Sequence, residues 1–296
     1  MGAVLATWLI AVSALSMSAP ARAEAPAALP AAVQSQDAPP DDMIPLTPEE
    51  IHNLATKPWL TPVSPPPVPS QLQGLILFRS DLAFDSPYEA AQCRDSHDYC
   101  DAYAVDPTTG SIWLLADPWP HECAEGRDAF SADRHYQALV QSEWTEFSSE
   151  YGPINYLQLQ VKYYDRQFKV IKTLSRFGAY FFGPDFAPFG DSWDPVWSPV
   201  GDTIAFVSNE AGNDDIYVVA KDRWPPRQLT RNEWAGDKHP SWSPDGKQIV
   251  FESNRDGRHR LWIMNADGSN QRPLTDPIMN AFDPVWVKYV GADGCP

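Results

Sequence analysis

The sequence feature that most constrains the fold is a repeat of about 45 residues near the C-terminus. Residues 194–199 read Asp-Pro-Val-Trp-Ser-Pro, residues 239–244 read His-Pro-Ser-Trp-Ser-Pro, and residues 283–286 read Asp-Pro-Val-Trp. The tryptophans of these segments are 45 and 44 residues apart, and several short segments with β-type patterns follow each of the first two. A fixed period of this length, with several strands in each period, predicts the four-stranded blades of a β-propeller.

Each end of this β region lacks a strand that the other end supplies. Leu75–Ser80 and Asp101–Val105 align with the second and third strands of the clear repeats, but no first strand precedes Gly74. Asp283–Lys288 is a first strand with no second strand after it. Pairing these ends would remove two exposed sheet edges. We therefore predict an all-β fold, a small β-propeller of about four blades, with the first blade closed by N- and C-terminal strands.

A degenerate blade is expected between the first blade and the clear repeats. Its strands are predicted over Tyr136–Ser142, Leu157–Tyr164 and Phe168–Leu174 from their alternating pattern and the turn at Asp165-Arg166. Residues Arg176–Gly190, which are rich in Phe, Gly and Pro, are predicted to form a long loop into the next blade.

The chain divides into three regions. Residues 1–23 have the apolar run and small-x-small ending of a signal peptide, and an uncleaved N-terminal membrane tether is the alternative. Residues 24–73 form a proline-rich linker with a short helix over Pro48–Ala55; a proline-rich partner motif is the other interpretation. Residues 74–296 form the propeller domain. The expected location is extracytoplasmic: periplasmic, on the cell surface or secreted.

The composition restricts the partners. A formal net charge of -17 and a pI near 4.6 argue against nucleic acid, because such a surface repels phosphates. The same charge mildly favours cationic ligands, although the solubility of an exported protein is the preferred explanation. No cofactor is expected. Calcium is the alternative, in the loops around Asn213–Asp215 and Arg255–Gly257, whereas the spacing of Asn265–Asn270 does not match the helix-loop-helix calcium pattern.

The four cysteines match no zinc or haem spacing and are expected to be structural. We favour a disulfide between Cys93 and Cys100, and the sequence leaves Cys123 and Cys295 unresolved. No linear motif of a hydrolase, metalloprotease or nucleotide-binding site occurs, so no catalytic or metal-binding residue is assigned. His239 replaces the aspartate of the repeat and is interpreted as a structural variant in preference to a general base.

The repeat closely resembles that of TolB-type β-propellers. The resemblance rests on Asp-Pro-x-Trp-Ser-Pro-Asp-Gly, Ile-x-Phe-x-Ser, Asn-Ala-Asp-Gly and Leu-Thr, which Pro240–Thr275 contains almost ideally and Pro195–Thr230 well. With two weaker copies it covers about Gly74–Lys288. The resemblance implies an exported, non-enzymatic propeller that binds another protein or an envelope component. A propeller enzyme (hydrolase or lyase) with a central-channel site and a structural subunit of a larger extracytoplasmic assembly are the alternatives.

Residues that recur once in each blade are expected to hold the blades together. They are Asp194, Asp245, Asp283, Trp197, Trp242, Trp286, Phe206 and Phe251. Binding is instead expected on the face that carries the loops before each first strand and between second and third strands, because these loops differ most. The binding candidates are Trp119, His121, Phe186, Asp191, Trp193, Trp234, Asp237, His239 and Asn280. A perturbed acid–base pair in the channel would favour an enzyme.

Overall fold

The computed structural model describes residues 72–288, apart from residues 83, 85–86, 116–118, 150–151, 176–179, 183–184, 188–189 and 278. The predicted signal peptide and the predicted helix at Pro48–Ala55 lie outside these residues. Within them, no helix is both long enough and apolar enough to span a membrane.

The described residues form strands β1 to β17, helices α1 and α2, and one 3-10 helix. In chain order these are β1 (Ile76–Ser80), α1 (Pro87–Asp95), the 3-10 helix (His97–Tyr99), β2 (Asp101–Val105), β3 (Ile112–Leu114), α2 (Trp119–Asp128), β4 (Tyr136–Ser149), β5 (Gly152–Asp165), β6 (Val170–Thr173), β7 (Tyr180–Phe182), β8 (Asp185–Ala187), β9 (Ser192–Trp197), β10 (Thr203–Ser208), β11 (Asp215–Ala220), β12 (Arg223–Gln228), β13 (Asp237–Trp242), β14 (Gln248–Ser253), β15 (Arg260–Asn265), β16 (Arg272–Pro273) and β17 (Ala281–Trp286).

Four antiparallel sheets are the blades. Blade 1 has the strand order β17-β1-β2-β3, blade 2 is the three-stranded β4-β5-β6, blade 3 contains β9 to β12, and blade 4 contains β13 to β16. The predicted closure of blade 1 by both ends of the β region is confirmed. β17 pairs with β1 in a register that places Trp286 opposite Ile76, and the Gly74 amide donates to the Val287 carbonyl at 3.0 Å.

The apolar core lies between neighbouring blades. One cluster joins blades 1 and 4 around Phe78 and Trp286, another joins blades 2 and 3 around Trp197, and a third joins blades 3 and 4 around Trp242 and Phe251. The repeated aromatic residues therefore recur because each blade needs a large side chain to cover its neighbour. Between blades 1 and 2, α2 packs on blade 1 through Ala124.

Three features differ from the sequence predictions. β4 does not end at Ser142 but continues to Ser149, paired throughout with β5, because the alternating pattern with aromatic residues continues over 143–149. The predicted loop Arg176–Gly190 contains the two-stranded ribbon β7-β8. Leu72, assigned to the linker, is buried against blade 1.

Two segments predicted to be loops are helical. α1 begins at Pro87, and α2 has a proline directly after its first residue. Proline in the first turn is favourable because the amide it lacks would have no partner there. Neither helix has the long apolar stripe by which a sequence pattern reveals a helix.

Candidate functional site

The first strands β9, β13 and β17 each contain a β-bulge, and at each bulge one side chain turns toward the centre of the propeller. The register shifts between β9 and β10, β13 and β14, and β17 and β1 all fall at the residue before the strand proline. These residues, Asp194, His239 and Asp283, have φ values of 47°, 48° and 48°. Left-handed backbone is uncommon outside glycine, and aspartate, asparagine and histidine tolerate it best. Strained positions of this kind cluster at functional sites, which makes the channel our candidate site.

The three side chains meet. His239 Nδ1 lies 3.1 Å from Asp194 Oδ2, and His239 Nε2 lies 3.2 Å from Asp283 Oδ1. Both carboxylate oxygens are buried, and the ring of His239 is the group that faces them at these distances. Residues 45 and 44 positions apart in sequence therefore form one polar group, because blades 1, 3 and 4 present the same position to the channel.

A cavity of about 180 Å³ opens beside this group. It is lined by the three residues, their following prolines, Val196, Val285 and, from α2 and the residue after it, Glu125, Asp128 and Ala129. Among the described residues, blade 2 places no counterpart of Asp194 in the cavity lining, and α2 supplies acidic side chains there. Asp128 also belongs to a buried network beside the cavity, in which it pairs with Lys288 and accepts from Ser241 Oγ at 2.6 Å.

The charged residues of this group stabilise one another's ionised forms. Burial alone lowers the pKa of His239, but the close Asp194 and the charges of Asp283 and Glu252 raise it to about 10. Burial alone raises the pKa of Asp283, but the hydrogen bond with His97 and the charge of His239 bring it below its ordinary value. A perturbed acid–base pair is thus present in the channel. An imidazole with a pKa near 10 stays protonated at neutral pH, however, so it carries charge and is poorly suited to act as a general base.

A second set of donors adjoins Asp283. His97 Nδ1 lies 2.8 Å from Asp283 Oδ2, and Glu252 Oε2 accepts from the Asp283 amide at 3.3 Å. His259 Nδ1 lies 2.6 Å from Glu252 Oε1. One donor atom from each of His97, Glu252 and Asp283 lies within 4.8 Å of the other two.

A disulfide between Cys93 and Cys100 brackets His97, as the sequence analysis favoured, with a Cα–Cα distance of 4.7 Å. Both cysteines are buried against Phe282, and the His97 ring stacks on Phe282 with centroids 4.2 Å apart. The loop that carries His97 is therefore fixed over the channel. The pairing of Cys123 and Cys295 lies outside what the structure describes.

Of the residues predicted for binding, His239 and His121 belong to the channel. His121 is buried in α2 and its Nε2 lies 2.5 Å from the Asp283 carbonyl oxygen, so it fixes the bulge. Asn280 lies at the start of β17 and donates through Nδ2 to Asp81 Oδ2 at 2.8 Å. Trp119 and Phe186 lie in α2 and β8, with side chains outside the described part.

The remaining binding candidates are not brought together. Asp191 Oδ1 accepts from the Leu159 amide at 2.7 Å, Trp193 packs between blades 3 and 4, and Trp234 is 64% exposed. Asp237 is fully buried, and its Oδ2 accepts from Asn232 Nδ2 at 2.7 Å and from Arg255 at 2.8 Å. These contacts tie loops to blades.

Asp215 is a second buried aspartate, near Asp237, and the effect of its charge on stability can be tested. Its carboxylate accepts from Gln228 Nε2 at 2.8 Å and Thr230 Oγ1 at 3.0 Å. Burial, together with the charge of Asp237, raises the pKa of Asp215 to about 7. Because the folded-state pKa is raised, the stability associated with this group is present below pH 4 and is lost as the pH rises toward 7.

We expect Asp215→Asn to raise the free energy of unfolding by about 2 kcal/mol at pH 8, since the buried charge is removed and Asn can still accept from Thr230. The gain should shrink at pH 5, where Asp215 in the folded protein is largely protonated. Urea unfolding at both pH values measures it, with the exposed Asp222→Asn as control. An equal effect at both pH values would contradict this account.

Asp194 and Asp283 were predicted to be structural because they recur, and His97 and Glu252 were not among the predicted binding residues. A signal was available for His97. It lies between the second and third strands of its blade, on the face where binding was expected, and the Cys93–Cys100 disulfide encloses it. Glu252 occupies a variable position of the Ile-x-Phe-x-Ser segment, where Val207 and Arg79 stand in other blades, so its charge did not stand out.

Comparison with known proteins agrees with the repeat and the fold. Residues 161–288 match the family model of the TolB beta propeller domain, which confirms the resemblance over these residues. A search of the curated proteins found no match.

Solved structures align with this chain at low identity and with TM-scores below 0.5. A protein described as TolB in Agrobacterium tumefaciens is 18% identical (TM-score 0.36), with 62% of this chain and 65% of that chain covered. TolB from Acinetobacter baumannii is 14% identical (TM-score 0.38), with 72% and 66% covered. An oligogalacturonate lyase from Vibrio parahaemolyticus is 13% identical (TM-score 0.35), with 58% and 47% covered. The chain thus spans less than two thirds of the length of each of these proteins.

Proposed function

We propose that this protein, a β-propeller with TolB-type repeats, is an exported and non-enzymatic binding module. Its channel mouth receives a segment of a partner protein of the cell envelope or exterior, and a basic side chain of that segment enters the cavity. The chain carries a candidate signal peptide, and its acidic composition suits a cationic ligand.

One observation carries this proposal: the cavity is small and acidic. Glu125, Asp194 and Asp283 line it with one imidazolium, His239, so negative charge is in excess. Small-molecule sites usually enclose about 300–1,000 Å³. At about 180 Å³ the cavity suits a single side chain better than a sugar oligomer or a drug-sized substrate.

The loops around the channel mouth are suited to the capture of a macromolecule. The partner side chain would enter between loops of blades 1, 3 and 4, which differ in sequence while the strands beneath them are alike. Trp234, at 64% exposure, is an aromatic side chain of the kind that is enriched in protein interfaces.

The test is capture by the tagged full-length chain from an envelope extract, followed by affinity measurement on the recovered partner. The double variant Asp194→Asn, Asp283→Asn removes two channel charges, and asparagine keeps the left-handed backbone. Hydrogen bonds to charged groups contribute about 1.5–3 kcal/mol, so we expect affinity to fall by about tenfold or more for each aspartate.

The matched control removes two charges elsewhere. Asp202 and Asp222 lie beside Lys221 with side chains 56% and 65% exposed. The variant Asp202→Asn, Asp222→Asn should bind the partner as the wild type does. Equal capture by the channel variant, or capture of no protein by the wild type, would refute the proposed function.

A further inference from the structure

We infer that the channel contains a binding site for a first-row divalent transition-metal ion of the Zn²⁺ type, held by His97, Glu252 and Asp283. The inference goes beyond the proposed function, because it concerns the chain alone and uses two residues that do not line the cavity.

The donor set has suitable dimensions. The donor atoms of the three residues lie within 4.8 Å of one another, and His97 Nδ1 is 2.8 Å from Asp283 Oδ2. A tetrahedral zinc ion with bonds of about 2.0–2.2 Å holds its donors about 3.3–3.6 Å apart. To bind one ion, the His97 and Asp283 donor atoms must separate slightly, and the most distant donors must approach each other by about 1 Å.

The chemistry of the donors selects the class of metal. One imidazole and two carboxylates favour zinc and its neighbours, whereas calcium prefers six to eight oxygen donors. Three protein ligands leave one position open, as in zinc sites that take up an external group.

The supporting residues hold the donors in place. His259 Nδ1 lies 2.6 Å from Glu252 Oε1, so the other oxygen, Oε2, remains turned toward Asp283. His97 is fixed by stacking on Phe282 and by the adjoining disulfide. Metal ligands usually have such orienting partners, and losing one typically costs 10–100-fold in affinity.

The surroundings of the donors favour a cation. Asp194 Oδ2 and Asp283 Oδ1 lie 3.1 and 3.2 Å from the two nitrogens of His239, so two carboxylates share one imidazole. A divalent ion bound at Asp283 would add positive charge beside these carboxylates.

The experiment titrates ZnCl₂ into the untagged full-length chain, by calorimetry and by metal analysis after dialysis, with Co²⁺ absorption as a report of ligand geometry. We expect one Zn²⁺ per chain and a dissociation constant at least 100-fold weaker in His97→Ala. Glu252→Gln should also weaken binding, by at least tenfold.

His135→Ala is the matched control. His135 pairs with Asp165 at 3.1 Å, and its side chain is 27% exposed, as that of His97 is. It has no third donor among the described metal-binding groups. This variant should bind Zn²⁺ like the wild type.

The inference is overturned if the wild type binds no Zn²⁺, if Ca²⁺ binds and Zn²⁺ does not, or if His97→Ala and His135→Ala behave alike. Circular dichroism establishes that each variant is folded. Partner capture is measured separately on chelator-treated protein, so that loss of metal binding and loss of the proposed function are distinguishable.

Discussion

Replacing Trp286 by alanine is expected to lower the free energy of unfolding by about 3–5 kcal/mol, the range for large-to-small changes at buried aromatic positions. Trp286 is only 5% exposed and packs in the cluster that joins blades 1 and 4. Its Nε1 donates to the Gly74 carbonyl at 2.9 Å, and its amide donates to Ser241 Oγ at 2.9 Å. The side chain therefore joins β17 to Gly74 and packs against blade 4, whereas the bond to Ser241 is a backbone contact that alanine retains.

Urea unfolding measures this loss, with Trp144→Ala as the control because Trp144 is 72% exposed. The control should change stability by less than about 0.5 kcal/mol. Trp286→Phe separates packing from the indole hydrogen bond, whose loss should cost about 1 kcal/mol. Hydrogen exchange should show faster exchange in β1 as well as in β17. If only β17 loses protection, the ends do not stabilise each other as the structure indicates.

The blades could be predicted from sequence because every blade meets the same physical requirement. A strand buried on both sides needs apolar residues such as Ile204 and Phe206, and the neighbouring blade must be covered by a tryptophan such as Trp197. The requirement repeats, so the residues repeat. Closure of blade 1 could be predicted by counting strands, because the N-terminal blade lacked a first strand and the C-terminal first strand had no further strands after it.

The channel could not be predicted in the same way. His97, Glu252 and Asp283 come from a loop, a strand and a bulge that are distant in sequence, and no local pattern links them. Asp194 and Asp283 were interpreted as structural because they recur. In the structure both residues occupy the bulges. Their side chains also meet at His239 in the channel, because every repeat places the residue at this position beside the channel. A recurring polar residue at the start of each first strand is thus evidence for a channel group as well as for a scaffold.

Lys288→Met is expected to destabilise the protein by about 3–5 kcal/mol, because it leaves the charge of Asp128 buried without its partner. Lys288 is 6% exposed and Asp128 is 7% exposed. Lys288 Nζ also donates to Ser241 Oγ at 3.2 Å, so the pair joins α2, β13 and the end of β17 below the cavity. Lys247→Met, at an exposed lysine, should have little effect.

The pH dependence of this variant identifies the cause. Burial raises the pKa of Asp128, and the charge and hydrogen bond of Lys288 oppose the rise most, followed by the hydrogen bond from Ser241. Without Lys288 the folded-state pKa rises further, so the variant should be nearest to wild-type stability at low pH and lose stability as the pH increases. Adding Asp128→Leu to Lys288→Met should recover most of the loss, since replacing a whole buried pair by apolar residues is often neutral. A double variant less stable than Lys288→Met at pH 8 would show that Asp128 stabilises the propeller mainly through Ser241 and not through the lysine.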